Sequence, residues 1–388
     1  MTRIDLTGLD VRPAQVWGGI RLVPLVRAEP VEGLRLRREV YERSGAYGRG
    51  PSAVDVGDGT VYASYVPHGF VADWSGAERE EAAYGTRLGD GPPAAVPLRA
   101  PHHRLAKRRQ GERRLRFLPL HLALDGYLSL HFGGPSALWQ EWSREALRRG
   151  LSPRAEAAYA GVDVPGLAEA LRIFELHPGQ CGVLVYAADS LAAAFVVPHP
   201  EDYRLLHPTL VEDLFGELVH QYAHYGAPVP EFASRIRDAA GGIRDLADLR
   251  AAAREQERRW AAAHDGLMAR DLLETPYAFE RVYRAGPFAL YRFLPPFLRD
   301  GREQHIGELI TDHKGRTAYL KTFRLSDAQV RRGYLLRRLA SCDWHPGRTA
   351  EALGTSREEL VRRIRAAGFG ALLDAHGLAQ AARETQEG

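Results

Sequence analysis

CGVLVYAADSLAAAFVV, residues 181–197, decides the fold class. Its two apolar runs, 181–186 and 192–197, are each about a strand long, and Asp189-Ser190 between them suits a hairpin turn. Runs that are apolar at successive rather than alternate positions fit strands covered on both faces. Helical patterns border the pair on both sides. On the N-terminal side these are residues 135–149, with Leu138, Trp142, Ala146 and Leu147 on one face, and the shorter 166–175. On the C-terminal side, 205–225 reads as one long helix with Leu210, Leu214, Leu218 and Tyr222 at fourfold spacing, and 244–264 as another. Farther out, residues 16–25, 60–66 and 115–120 read as strands, with Gly57-Asp58-Gly59 as a turn and residues 89–93 as a loop. Residues 280–284, 288–294 and 317–323 are strands again, the last entered through a turn at 312–316.

From Ser326 onward the pattern is purely helical, which places a boundary near Leu325. The expected architecture is α+β. A strand-rich part of the body (1–134) and its mixed α/β remainder (135–325) precede an all-α helix-turn-helix domain (326–388). The 388 residues, 45% hydrophobic and 26% charged, fit an ordinary globular chain and exclude wholesale disorder. A net charge of +3 is too small to make the whole molecule a nucleic-acid coat, so any basic surface is local. Lysine occurs only at Lys107, Lys314 and Lys321, an arginine skew that codon bias explains. Two cysteines, Cys181 and Cys342, cannot build a disulfide framework or a four-thiolate zinc site. No apolar leader or membrane-length run is present, so the expected setting is cytoplasmic, with no membrane partner.

The C-terminal stretch carries the clearest local signals. Ser326 or Asp327 caps a helix whose stripe is Val330, Leu335, Leu336 and Leu339. A short helix at 348–353 ends at Gly354, and Ser356-Arg357-Glu358-Glu359 is a capping-box pattern opening a helix with Leu360, Val361 and Ile364 turned inward. LLRRLASCDWHPGRTAEALGTSREELVRRIRAAGF, residues 335–369, resembles the Fis-class helix-turn-helix, with Ala350 at the contact between helices and Leu353-Gly354 at the turn. The resemblance implies DNA contact through Thr355, Ser356, Arg357, Arg362 and Arg363, and homodimerisation. Residues 326–370 hold nine arginines against five acids, which suits phosphate attraction. Glu358 and Glu359 oppose it, and a helical tail of this kind also serves as a packing or assembly module.

Candidate chemistry in the body is more diffuse. His68 and Asp73 lie in a Gly-containing loop after a strand, the kind of place that carries function. On a helix, His121 and Asp125 would share a face and form an orienting pair for acid–base work. His131 follows, and Gly133-Gly134 before a helix would expose backbone N–H groups to an anion. Together these seven residues make the candidate pocket. No metal site is expected. The nearest approach is His220 and His224, one turn apart, where Gln221 replaces the glutamate of a zinc-protease motif. Residues 104–116 hold seven basic side chains against Glu112, a second polyanion surface or a solvated loop. There is no phosphate-loop, nucleophile-elbow or dinucleotide motif, so no cofactor is expected and no catalytic residue is assigned.

Residues 15–225 resemble a large bacterial family named for its association with ADP-ribosylglycohydrolase and rhodanese-phosphatase proteins. The resemblance sits in residues 16–25, in Tyr65-Val66-Pro67-His68, in residues 130–135, in the strand at 182–185 and in the segment 198–218. It implies a setting near NAD or ADP-ribose metabolism or stress response, and transfers no catalytic residue. The combined expectation is a DNA-binding regulator or scaffold whose body senses a ligand or partner. The alternatives are an enzyme or binding protein for a nucleotide-derived molecule such as ADP-ribose, and an interaction module that assembles through its tail.

Overall fold

The computed structural model describes residues 2–37, 61–64, 70–73, 81–88, 95–97, 115–117, 120–132, 138–139, 141–143, 145, 166–229, 236 and 242–374. Its centre is a nine-stranded antiparallel sheet. From the N-terminal side come β1 (Leu9–Val11), β2 (Gln15–Trp17) and β3 (Ile20–Arg27). Seven short strands follow in two small sheets: β4 (Arg35–Arg37), β5 (Val61–Ser64), β6 (Phe70–Asp73), β7 (Glu81–Tyr84), β8 (Thr86–Leu88), β9 (Ala95–Pro97) and β10 (Leu115–Phe117). The chain returns to the large sheet with β11 (Gln180–Ala187), β12 (Ser190–Val196), β13 (Ala278–Ala285), β14 (Phe288–Leu294), β15 (His305–Thr311) and β16 (Thr317–Arg324). The strand order is β1-β3-β11-β12-β16-β15-β14-β13, with β2 paired to β3.

β11 and β12 lie at the interior, and β11 is buried along its whole length, as its unbroken apolar run requires. The hairpin turn falls on Ala188-Asp189, one residue earlier than read from sequence. Both have positive φ (47° and 63°), which matches the twist of the strands they join. The segment 16–25 is not one strand. Gly18-Gly19 turns it into the β2–β3 hairpin, held by Gly19 N–H donating to the Tyr222 carbonyl at 2.8 Å. β15 is the strand that the sequence reading left unassigned, because Gly307 and Glu308 interrupt its apolar run.

Helices cover both faces. One face packs against α1 (Leu120–His131), α2 (Leu167–Ile173), α3 (Pro200–Leu214), the π-helical turn Phe215–Val219 and α4 (His220–His224). The opposite face packs against α5 (Leu246–Ala263), a second π-helical turn at His264–Met268 and α6 (Arg270–Glu274), through Trp260 and Leu272. The predicted helix 205–225 therefore starts earlier, at Pro200, and is interrupted by a π turn.

After β16 come α7 (Asp327–Ser341), α8 (Pro346–Ala352) and α9 (Arg357–Ala366). Ser326 and Gln329 form a reciprocal capping box on α7. Ser356 accepts from Glu359 N–H on α9, but the Glu359 carboxylate turns to Arg362 and Arg363 instead of closing the box. Gly354, at φ +60°, makes the turn between α8 and α9, a conformation side-chain-bearing residues rarely adopt. Leu360 and Ile364 are buried and Val361 only partly so. The apolar core is continuous across Leu325, since Leu336, Leu339, Leu360 and Ile364 belong to the same cluster as the α1 leucines. At the junction, a Cβ on Gly333 of α7 would lie 2.1 Å from the Phe297 ring, so only glycine lets the helix approach that closely.

Candidate functional site

Charged residues in the middle of apolar strands mark the first place of interest. Antiparallel register sets Glu280 beside Arg292, Arg292 beside Glu308, and Glu308 beside Lys321. The result is a row of alternating charge across β13, β14, β15 and β16. It runs from the surface, where the Glu280 side chain is 66% exposed, to the interior, where Glu308 is 0% and Lys321 2% exposed. Lys321 Nζ lies 3.3 Å from Glu308 Oε2, and Arg292 Nε lies 3.7 Å from Glu308 Oε1. Among the described residues, Lys321 Nζ and both Glu308 oxygens are buried without a hydrogen bond of good geometry beyond these ion pairs.

The electrostatics follow from burial and neighbours. Burial works to raise the Glu308 pKa, but Lys321 and then Arg292 outweigh it and hold the carboxyl below its usual range. Burial lowers the Lys321 ammonium, with Glu308 opposing. Two side chains of α1 face the row. Burial and then the Glu308 charge push the Tyr127 hydroxyl well up. Burial, with Arg292 adding, brings His131 down to about 4. The His131 ring stands 4.0 Å from Glu280, and Gly85 lies close enough that an added Cβ would sit 3.1 Å from Glu308 Oε1. Chemically, the row is a neutral imidazole beside a chain of ion pairs that ends in a deeply buried lysine.

Of the predicted pocket residues, His121, Asp125 and His131 lie on α1 and Asp73 lies in β6. His121 and Asp125 do share α1, but each is taken by another element. His121 Nδ1 pairs with Glu217 at 3.3 Å, and Asp125 pairs with Arg332 of α7 at 2.5 Å. His131 reaches the charge row. Asp73 closes β6, in backbone register with Glu81 and Leu115, while His68, Gly133 and Gly134 lie outside the described residues. His220 and His224 form part of an aromatic cluster: their rings are 5.0 Å apart, and His224 meets Trp17 edge-on at 5.0 Å. Among the described residues no group of three potential ligands could hold a metal ion. Of the basic segment 104–116, only residues 115 and 116 are described, in β10. On the opposite face, the Tyr186 hydroxyl lies 2.7 Å from His264 Nε2, and His264 Nδ1 lies 2.9 Å from Asp265, under the stacked ring of Trp260. The enclosed group braces the second π-helical turn.

The second place of interest is the surface of α9. With Leu360 and Ile364 facing the core, Ser356, Arg357, Arg362 and Arg363 are exposed and Thr355 is half-buried. Glu359 holds both Arg362 and Arg363, the latter at 2.9 Å. Exposed pairs of this type are worth at most about 1 kcal/mol and are screened by salt, so a phosphate can compete for either arginine. Between α1 and α9 lies a cleft of about 690 Å3, whose charged lining is Asp125, Glu141, Glu145, Arg332, Arg365 and Asp374.

Sequence reasoning missed Arg292 and Glu308 as site residues. Their signal was present as lone charges flanked at two-residue spacing by apolar side chains: Leu290 and Leu294 around Arg292, Ile306 and Ile310 around Glu308. Lys321, between Tyr319 and Phe323, is also one of only three lysines. No helix among the described residues is long and apolar enough to cross a membrane. The sequence model of a family described as ARPP-2 matches residues 4–286. No curated protein and no solved structure matches the chain.

Proposed function

The chain belongs to the ARPP-2 family, and from that premise we propose that it is a DNA-binding regulator or scaffold, with a family body that senses a ligand or partner and C-terminal helices that contact DNA. The matched segment ends at residue 286, before β14, β15, β16 and the helices α7, α8 and α9. The observation that carries the reading is the α9 surface: a capped helix that buries Leu360 and Ile364 and exposes Arg357, Arg362 and Arg363 next to a tight Gly354 turn. A helix-turn-helix presents its second helix to the major groove in this way, with its N-terminal residues at base edges. Thr355 and Ser356 would sit at that end, and the Fis-class resemblance makes a homodimer the working form. The core shared by α1 and the C-terminal helices supports coupling between body and tail.

The test is retention of the chain's own genomic DNA fragments by the full-length protein at two salt concentrations. It is run beside a variant carrying Arg357→Glu, Arg362→Glu and Arg363→Glu. Sequence-selective retention that the variant loses supports the regulator. No retention at either salt overturns it. A second reading, binding or turnover of a nucleotide-derived molecule such as ADP-ribose, draws on the family's loose association with ADP-ribose processing and on the cleft between α1 and α9.

A further inference from the structure

A second cleft, of about 550 Å3, opens where β16 leads into α7, outside both the charge row and the α9 surface. Four arginines from three elements line it: Arg299 and Arg302 on the segment after β14, Arg324 at the end of β16, and Arg331 in α7. Against them stand two acids in the lining, Glu303 and Asp327. Arg324 is held by Glu303 at 3.5 Å and Arg302 by Asp300 at 3.0 Å. Among the described residues, Arg299 and Arg331 have no carboxylate within ion-pair distance, so two exposed guanidinium groups converge on one concavity uncommitted.

The frame that holds them is rigid. Gln304, itself buried, accepts from Leu298 N–H at 2.9 Å and donates back to the Leu298 carbonyl at 2.5 Å, which pins the segment carrying Arg299 and Arg302. Phe297 locks the same segment to α7 through its contact with Gly333, two residues beyond Arg331. Glu303 accepts from Leu191 N–H at 3.2 Å through one carboxylate oxygen and holds the Arg324 guanidinium with the other. The α7 N-terminus also faces the cleft, but Ser326 and Gln329 already cap it, so the arginines carry the argument.

Guanidinium forks match the paired oxygens of phosphate groups. The volume falls within the roughly 300–1,000 Å3 usual for small-molecule sites. We infer that this cleft binds the phosphate or diphosphate group of a small molecule, with Arg299 and Arg331 as its principal contacts and Arg302 and Arg324 at its sides. The inference goes beyond the DNA reading and does not depend on it.

The experiment is isothermal titration calorimetry of the full-length protein with inorganic pyrophosphate at constant ionic strength, with sulfate in a parallel arm. Arg299→Gln and Arg331→Gln, both on the surface, are checked for an unchanged thermal transition. The expected result is saturable pyrophosphate binding that each variant weakens about tenfold or more, with sulfate weaker. The triple α9 variant should bind pyrophosphate as the parent does. No binding by the parent, equal binding by Arg299→Gln and Arg331→Gln, or loss in the α9 variant would overturn the site. Sulfate binding as tightly as pyrophosphate would overturn its assignment to phosphate. DNA retention plays no part in the readout, so the two proposals can fail separately.

Discussion

The two halves of the large sheet are arranged alike and filled differently. β3, β11 and β12 run antiparallel and lead into α3. β14, β15 and β16 run antiparallel and lead into α7, and the halves meet where β12 pairs with β16. On the face that α1 covers, the first half presents Val183, Val185, Ala193 and Phe195. The second half presents the partly buried Arg292, with Glu308 and Lys321 as deeply buried as those apolar side chains. Phe195 and Lys321 are direct cross-strand neighbours, so the change from apolar to charged happens across a single strand pair. An apolar row tolerates some slippage in what it packs against, whereas a row of alternating charge is satisfied in one register only. The charged half is also the half from which the C-terminal helices and the arginine cleft depart.

The largest effect is expected from splitting the buried pair. Lys321→Met leaves Glu308 buried without its nearest cation and should cost about 3–5 kcal/mol in denaturant unfolding. The double variant Lys321→Met with Glu308→Leu removes both fully buried charges and should recover most of that loss. A double variant as unstable as the single one would show that the row does more than satisfy its own charges.

His131 gives the next effect. Its pKa falls from 6.5 in the unfolded chain to about 4 in the fold, so below pH 6.5 the unfolded chain binds the extra proton. Its contribution is therefore complete above pH 6.5 and is lost as pH falls toward 4, about 3 kcal/mol over the whole range. His131→Gln should flatten the stability profile between pH 6.5 and 4. In the apolar half, Leu184→Ala should cost about 2–5 kcal/mol by opening a cavity, with the same loss at pH 7 and pH 5. A pH-dependent loss there would erase the distinction between the halves.

The smallest effect on stability concerns the surface. Glu359→Gln removes two exposed ion pairs and should change stability by less than about 1 kcal/mol. By freeing Arg362 and Arg363 it should tighten DNA binding several-fold at low salt, measured by fluorescence anisotropy.

The contrast between halves also explains what could be read in advance. The β11–β12 pair and the caps at Ser326, Gly354 and Ser356 depend on residues a few positions apart, and their elements stand in the structure within a residue or two of their expected places. The charge row joins Arg292, Glu308 and Lys321 through strand register, which no local pattern encodes, and the charge that makes β15 interesting also hid it as a strand. His121 and Asp125 were correctly set on one helix face. Their partners, Glu217 and Arg332, come from distant segments, and these draw the two side chains apart. The fold carries His131, a candidate-pocket residue, to the buried row.

The most direct test of the account is the salt dependence of affinity for a retained genomic fragment, compared between the parent and the triple Arg357→Glu, Arg362→Glu, Arg363→Glu variant. If α9 lies against the phosphates, the slope of log affinity against log salt should shrink by about 0.9 for each phosphate contact removed, so by roughly two to three units for the variant. Equal slopes would mean that these arginines do not face DNA, and the regulator reading would fail.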